Sequence, residues 1–154
     1  MNRAGSLAPL RAGMLKVPQK EPARITFVCD LFSERSKVRT SKTIDILLRA
    51  LTAVDMLYLL EHPSTPRLYD SGVMYQEEPP GAEDWQDILT CLRLGWGDCE
   101  DLACWLAAEY QVRGIDAHPF ASSQPLPDGS TLYHIRVRLP NGGIEDPSKK
   151  LGMR

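Results

Sequence analysis

The stretch from Gly95 to Trp105 constrains the chain most, because it predicts a glycine-containing loop that leads directly into a helix. Asp98 is a suitable N-cap, and Asp101 lies three residues further on, where its carboxylate can accept from free amides of the first turn. Cys99 is then the first helical residue, where the helix dipole and unpaired N–H groups favour a thiolate. Gly114 is a suitable C′ residue at the other end. The stretch therefore predicts a capped helix with a cysteine on its first turn.

Two interpretations of Cys99 are open from the local sequence: a buried structural cysteine or a nucleophile. His134 lies in the alternating run 131–139, which predicts a strand, and Asp146 follows just past a predicted turn. Cysteine, histidine and acid thus occur in the chain order of a nucleophile, a base and a group that orients the base. In such a triad the imidazole takes the thiol proton, and the acid fixes its tautomer.

These residues resemble the transglutaminase-like cysteine peptidase superfamily, most closely the bacterial transglutaminase-like cysteine proteinases. The first resemblance is carried by Trp85, the run Gly97–Ala103, His134 and Glu145–Pro147. A second resemblance, to small transglutaminase-like proteins encoded in phage genomes, is carried by Tyr69–Val73 and Asp146–Met153. Together the resemblances cover roughly Tyr69 to Met153, and residues Met1 to Pro66 match no family pattern.

The resemblance implies an α+β, papain/transglutaminase-like fold, with a central Cys99-bearing helix packed on a small antiparallel sheet that carries His134 and Asp146. It also implies acyl transfer at an amide of a protein or peptide substrate, through a thioester on Cys99. Water as the acceptor gives a cysteine peptidase or amidase, and a lysine amine gives a cross-linking transglutaminase. Hydrolysis is preferred because no sequence feature marks an amine site. The indole of Trp85 is implied as an oxyanion donor, beside the backbone N–H of Cys99 and the groove candidate Asp98.

No cofactor is expected, with one alternative. Some members of the resembling family bind calcium beside the nucleophile, which makes Asp98 and Glu100 candidate ligands. The competing interpretation is a capped helix whose acids are favoured by its dipole. These acids also raise the thiol pKa, so an ion pair with His134 has to activate Cys99. A zinc site from Cys91, Cys99, His118 and His134 lacks ligand spacing.

Composition sets the broader class of protein. The chain has 154 residues and a formal net charge of −2, which fits a single soluble domain and gives no indication of nucleic-acid binding. The four cysteines show no C-x-x-C spacing, so we expect reduced thiols and a cytoplasmic location, either a host cytoplasm or a virion for a phage protein.

The N-terminal region predicts an arm over residues 1–22, followed by a single transglutaminase-like domain over 23–154. The arm has no continuous apolar region of a secretory signal. Arg24 to Cys29 predicts a strand. An arm of this kind suits docking to a larger assembly. A second class of function is therefore open: a structural or assembly protein of a phage particle whose triad is silent or limited by substrate.

Periodicity predicts the remaining elements. A long helix should start at Ser41 or Thr43 and run to about Leu60, with the charges Asp45, Arg49 and Asp55 arguing against a membrane span. Its predicted core face consists of Ile44, Leu47, Leu48, Leu51, Val54 and Tyr58. Its predicted polar face consists of Asp45, Arg49 and Thr52. Asp55 lies on the apolar side, either at its rim or hydrogen-bonded.

A short helix is predicted over Glu83–Leu94, and antiparallel strands over Ile115–Ala121 and Leu132–Leu139. The second strand presents a conflict between packing and catalysis. His134 lies on the face opposite to the apolar residues Tyr133, Ile135 and Val137, because successive side chains of a strand point to opposite faces. Either the Cys99 helix meets the His134 end of the opposite face, or the strand is covered on both sides.

Overall fold

The computed structural model describes residues 37–79 and 83–154. These residues form a mixed α+β structure with small sheets. The elements are α1 (Lys37–Glu61), β1 (Met74–Tyr75), α2 (Ile88–Leu94), β2 (Trp96–Gly97), α3 (Cys99–Val112), β3 (His118–Pro125), β4 (Thr131–Arg138), β5 (Ile144–Glu145) and α4 (Pro147–Lys150), with a 3-10 turn at Leu68–Asp70. The predicted arm, the predicted strand Arg24–Cys29 and the cysteine that ends it lie outside the described residues.

Helix α3 is the centre of the core, as the sequence predicted. It packs against α1, β3 and β4. Its buried side chains include Leu102, Trp105 and Ala107. Asp98 and Asp101 form the predicted capping box, and Gly114 has a φ of 77° just past the C-terminus. Both ends of the helix are therefore fixed by the local sequence.

The larger sheet has the antiparallel order β3-β4-β5. The long pair runs from His118 opposite Arg138 to Pro125 opposite Thr131, whereas β5 pairs only with Val137 and Arg138. The antiparallel pair is confirmed, although β3 begins three residues later than Ile115. Residues 131–136 of β4 thus extend past β5.

Helix α1 corrects two predictions. It begins at Lys37, so the predicted caps Ser41 and Thr43 lie inside it. Its buried stripe includes Thr52, which was assigned to the polar face, whereas Val54 is 49% exposed. The hydroxyl of Thr52 donates to the carbonyl of Leu48 at 2.8 Å, which allows its burial. The predicted Asp45–Arg49 pair forms at 3.1 Å, and no helix in the described part of the chain has the length and apolar character of a membrane span.

Asp55 lies within the buried stripe of α1. Its side chain is fully buried, and Oδ1 accepts from the backbone N–H of Ile88 at 3.0 Å, so the hydrogen-bonded alternative is the one observed. Burial raises the pKa of Asp55 well above its ordinary value. Helix α2 accordingly starts at Ile88, not at Glu83, and Asp87 caps it by accepting from Thr90 N–H at 2.9 Å.

Candidate active site

Cys99 occupies the first position of α3, in a partly buried place against the core. Gly97 makes this turn possible, since a Cβ there would lie 3.1 Å from Cys91 Sγ and 3.2 Å from Asp101 Cβ. The thiol of Cys99 donates to Oε2 of Glu100 at 3.3 Å. The loop therefore holds the thiol between the acidic first turn of the helix and the neighbouring strand.

The thiol is stabilised in its neutral form. Burial raises the pKa of Cys99 well above its ordinary value, and the carboxylate of Glu100 raises it further. The backbone N–H of Ile135, which lies beside the sulfur, acts in the opposite direction. The predicted effect of the acids is confirmed, but burial is the larger cause, so the helix N-terminus alone does not produce a thiolate.

His134 and Asp146 form the predicted pair. Nε2 of the imidazole lies 2.9 Å from Oδ2 of Asp146, and the two side chains are 21% and 17% exposed. A carboxylate at Nε2 fixes the proton on that nitrogen and leaves Nδ1 as the basic one. The other oxygen of Asp146 caps α4 by accepting from Lys149 N–H at 3.2 Å. The acid therefore has one oxygen for the helix and one for the base.

The thiol of Cys99 lies beside the backbone of β4. Ile135, whose amide lies beside the sulfur, is the residue that follows His134. The thiol therefore lies beside the part of β4 that carries the imidazole. Among the hydrogen bonds of residues 37–79 and 83–154, none joins the thiol to the imidazole; the thiol bonds to Glu100 instead.

The acids of the first helical turn are buried and mutually bonded. Asp101 accepts from the backbone N–H of Gln86 at 2.7 Å and of Asp98 at 3.2 Å, which makes it a structural anchor. Burial raises the pKa of Asp98, Glu100 and Asp101, and the side chains of Asp98 and Glu100 hydrogen-bond each other. Burial therefore opposes ionisation of all three acids.

Asp98 and Glu100 alone supply fewer than the six to eight oxygens that calcium takes. Within the described ranges no three His, Cys, Asp or Glu side chains are grouped to hold a metal ion. Calcium binding by this pair stays a prediction, and the mechanism below uses none.

Tyr75 is a neighbour of the thiol that the sequence did not single out. Parallel pairing of β1 with β2 places Tyr75 opposite Gly97, two residues before Cys99. Burial raises the pKa of Tyr75 to about 12, and the nearby Cys99 contributes to the shift. Tyr75 therefore borders the candidate site, and the parallel bridge that places it there has no periodic sequence signal.

The other candidates have ordinary surroundings. Cys91 and Cys104 are free thiols with fully buried side chains, so they belong to the core. His118 is exposed and pairs with Asp116 at 2.7 Å. Trp85 is partly buried against the core just before α2, and its proposed indole contact to an oxyanion stays a prediction.

Fold and site together define a mixed α+β domain with a cysteine on the first turn of its central helix and a His–Asp pair on the adjoining sheet. No protein-family model, no curated protein and no solved structure significantly matches this chain.

Proposed function

We propose that this protein catalyses thiol-dependent acyl transfer at an amide bond, in a papain/transglutaminase-like arrangement. Cys99 is the nucleophile, His134 the base and Asp146 the group that orients the base. The single observation that carries the proposal is the 2.9 Å contact of His134 Nε2 with Asp146, on the strand whose next residue borders the Cys99 thiol. That contact leaves Nδ1 available as the base.

The first half of the reaction forms a thioester. Nδ1 of His134 takes the proton from the Cys99 thiol, and the thiolate adds to the amide carbonyl. The carbonyl oxygen gains negative charge, which the backbone N–H of Cys99 and the indole of Trp85 are placed in our proposal to stabilise. The imidazolium then returns its proton to the departing amine as the C–N bond breaks.

The second half releases the acyl group. Water adds to the thioester after His134 removes its proton, and Cys99 recovers a proton as the C–S bond breaks. Hydrolysis of a peptide or protein amide is the reaction we favour, and a lysine amine in place of water gives cross-linking. In this mechanism the thiol first breaks its hydrogen bond to Glu100, and we propose that it does so by rotation about its Cα–Cβ bond.

One observation favours a different function. The thiol is bonded to Glu100, and burial together with that acid raises the pKa of Cys99, which describes an unactivated cysteine. On this alternative the chain is a structural or assembly protein of a phage particle with a silent triad, docked to its assembly through residues 1–22.

An electrophilic peptide probe that acylates thiols separates the two functions. Wild-type protein should be modified at Cys99, whereas Cys99→Ala should not react. The free energy of unfolding of Cys99→Ala should lie within about 1 kcal/mol of the wild-type value, since only a sulfur is removed. Cys91→Ala is the matched control and should keep the labelling. If wild-type protein stays unmodified while iodoacetamide still reaches Cys99, the acyl-transfer proposal fails.

A further inference from the structure

The carboxylate of Glu145 gathers donors from three separate parts of the chain. Oε1 accepts from the hydroxyl of Tyr69 at 2.7 Å and from the ammonium of Lys150, and Oε2 accepts from the hydroxyl of Tyr110 at 2.7 Å. The ammonium of Lys150 also lies 4.8 Å from the centre of the Tyr69 ring. Only 11% of the Glu145 side chain is exposed. We call this group of four residues the Glu145 clamp.

The protonation states of the clamp support its geometry. Burial opposes ionisation of Glu145, but the hydrogen bonds from Lys150, Tyr110 and Tyr69 outweigh burial and lower the pKa of Glu145. Burial and the bond to Glu145 raise the pKa of Tyr69, and the same bond is the largest cause that raises the pKa of Tyr110. An ionised acceptor thus faces hydroxyl groups that stay protonated as donors.

Glu145 is also the residue directly before Asp146. It pairs with Val137 in the last rung of the sheet, so the backbone at this point is already held on one side. Successive side chains of an extended segment point to opposite sides. Accordingly, Glu145 reaches Tyr110 of α3, whereas Asp146 reaches His134 of β4. Fixing the first carboxylate restricts where the second one can lie.

We propose that Glu145 is a positioning residue, and that its clamp holds Asp146 within hydrogen-bond distance of His134. The catalytic consequence rests on the proposed function, but the hydrogen bond itself does not. A loosened clamp lets Asp146 turn away while α4 keeps its cap, so the imidazole loses the partner that selects its tautomer. Because the chain has only three histidines, the ring nitrogens of His134 are readily followed.

The test is ¹⁵N NMR of histidine-labelled, full-length protein, combined with the rate of probe labelling at Cys99. Wild type should show a single His134 tautomer with the proton on Nε2. Glu145→Gln, which keeps the size and removes the charge, should give a mixture of tautomers and an about tenfold slower labelling, in the range typical of groups that orient a ligand. Glu61→Gln, at the exposed end of α1, is the matched control.

An unchanged tautomer in a folded Glu145→Gln protein overturns the proposal. Should that variant fail to fold, Tyr69→Phe and Tyr110→Phe each remove one donor and must produce the same mixture, and Tyr58→Phe must not. A tautomer change without any labelling of wild type would retain the positioning role and reject acyl transfer. A tautomer change limited to variants that melt far below wild type would reject the positioning role.

Discussion

Asp146 uses its two oxygens on two different partners, His134 at 2.9 Å and the first turn of α4 through Lys149 N–H at 3.2 Å. Orientation of the candidate base is therefore coupled to the cap of the last described helix. Substitutions that keep one contact and remove the other can separate chemistry from stability.

Asp146→Asn and Asp146→Ala should behave differently. The amide retains an oxygen to cap α4 but offers His134 a donor that selects the wrong tautomer, so probe labelling should fall by orders of magnitude with little change in melting. Alanine removes the cap as well and should lower the free energy of unfolding by roughly 1 kcal/mol more. Chemical denaturation and labelling kinetics measured on both variants check this, and equal stability of the two would contradict the capping role.

Glu100→Gln should make Cys99 more reactive toward iodoacetamide. The carboxylate of Glu100 is, after burial, the next cause that raises the thiol pKa, so its neutral replacement should lower that pKa. Each unit of change gives about tenfold more thiolate below the pKa. Rates of alkylation between about pH 7 and 9 measure the effect. Glu61→Gln is the control, and an unchanged rate in Glu100→Gln would mean that the acid does not act on the thiol.

Asp55 should make the protein less stable as pH rises. Its folded-state pKa lies well above the ordinary 3.8, so the folded protein binds a proton that the unfolded chain releases first. The contribution to stability is complete below pH 3.8 and decreases as pH rises through the raised value, by up to about 1.4 kcal/mol per unit. Melting from pH 4 to 8 should show a smaller decline for Asp55→Asn. Asp45→Asn, on the exposed side of α1, should retain the wild-type decline.

Gly97→Ala should destabilise the loop that carries Cys99. The added methyl meets Cys91 Sγ at 3.1 Å and Leu102 Cδ2 at 3.3 Å, tight contacts inside the core that typically cost about 1–3 kcal/mol. Gly95→Ala is the comparison, because its methyl meets open space and only the positive φ is strained, by about 1–2 kcal/mol. Chemical denaturation measures the stability of both variants. Alkylation of the folded proteins should show that Cys99 loses its protection in Gly97→Ala alone, and the same loss of protection in Gly95→Ala would contradict a packing origin.

The parts of the fold that were predictable have local causes. Asp98 and Gly114 mark the two ends of α3 because caps act on adjacent backbone. Alternation over 131–139 predicted β4 because it is also a pattern of neighbouring residues. His134 and Asp146 were found from type, order and context, and the structure brings them together.

The parts that were missed depend on distant partners. Periodicity places Asp55 on the apolar side of α1, but it does not reveal the partner, the N–H of Ile88, 33 residues away. Ser41 and Thr43 are good caps by type, yet α1 begins at Lys37. The bond from Cys99 to Glu100 depends on how deeply the first turn of α3 is buried, and sequence spacing gave the residues but not that depth.

The sequence distances between contacting side chains imply an order of folding. His134 and Asp146 are 12 residues apart and lie on neighbouring parts of one short sheet, so closing that loop costs little entropy. The contact between Tyr69 and Glu145 spans 76 residues, and burial of Cys99 needs distant Tyr75 and Ile135 to come beside it. We therefore expect the base and its acid to assemble while the thiol is still open to solvent. Alkylating agent added during refolding should modify Cys99 faster than it modifies the folded protein, and equal rates would argue against this order.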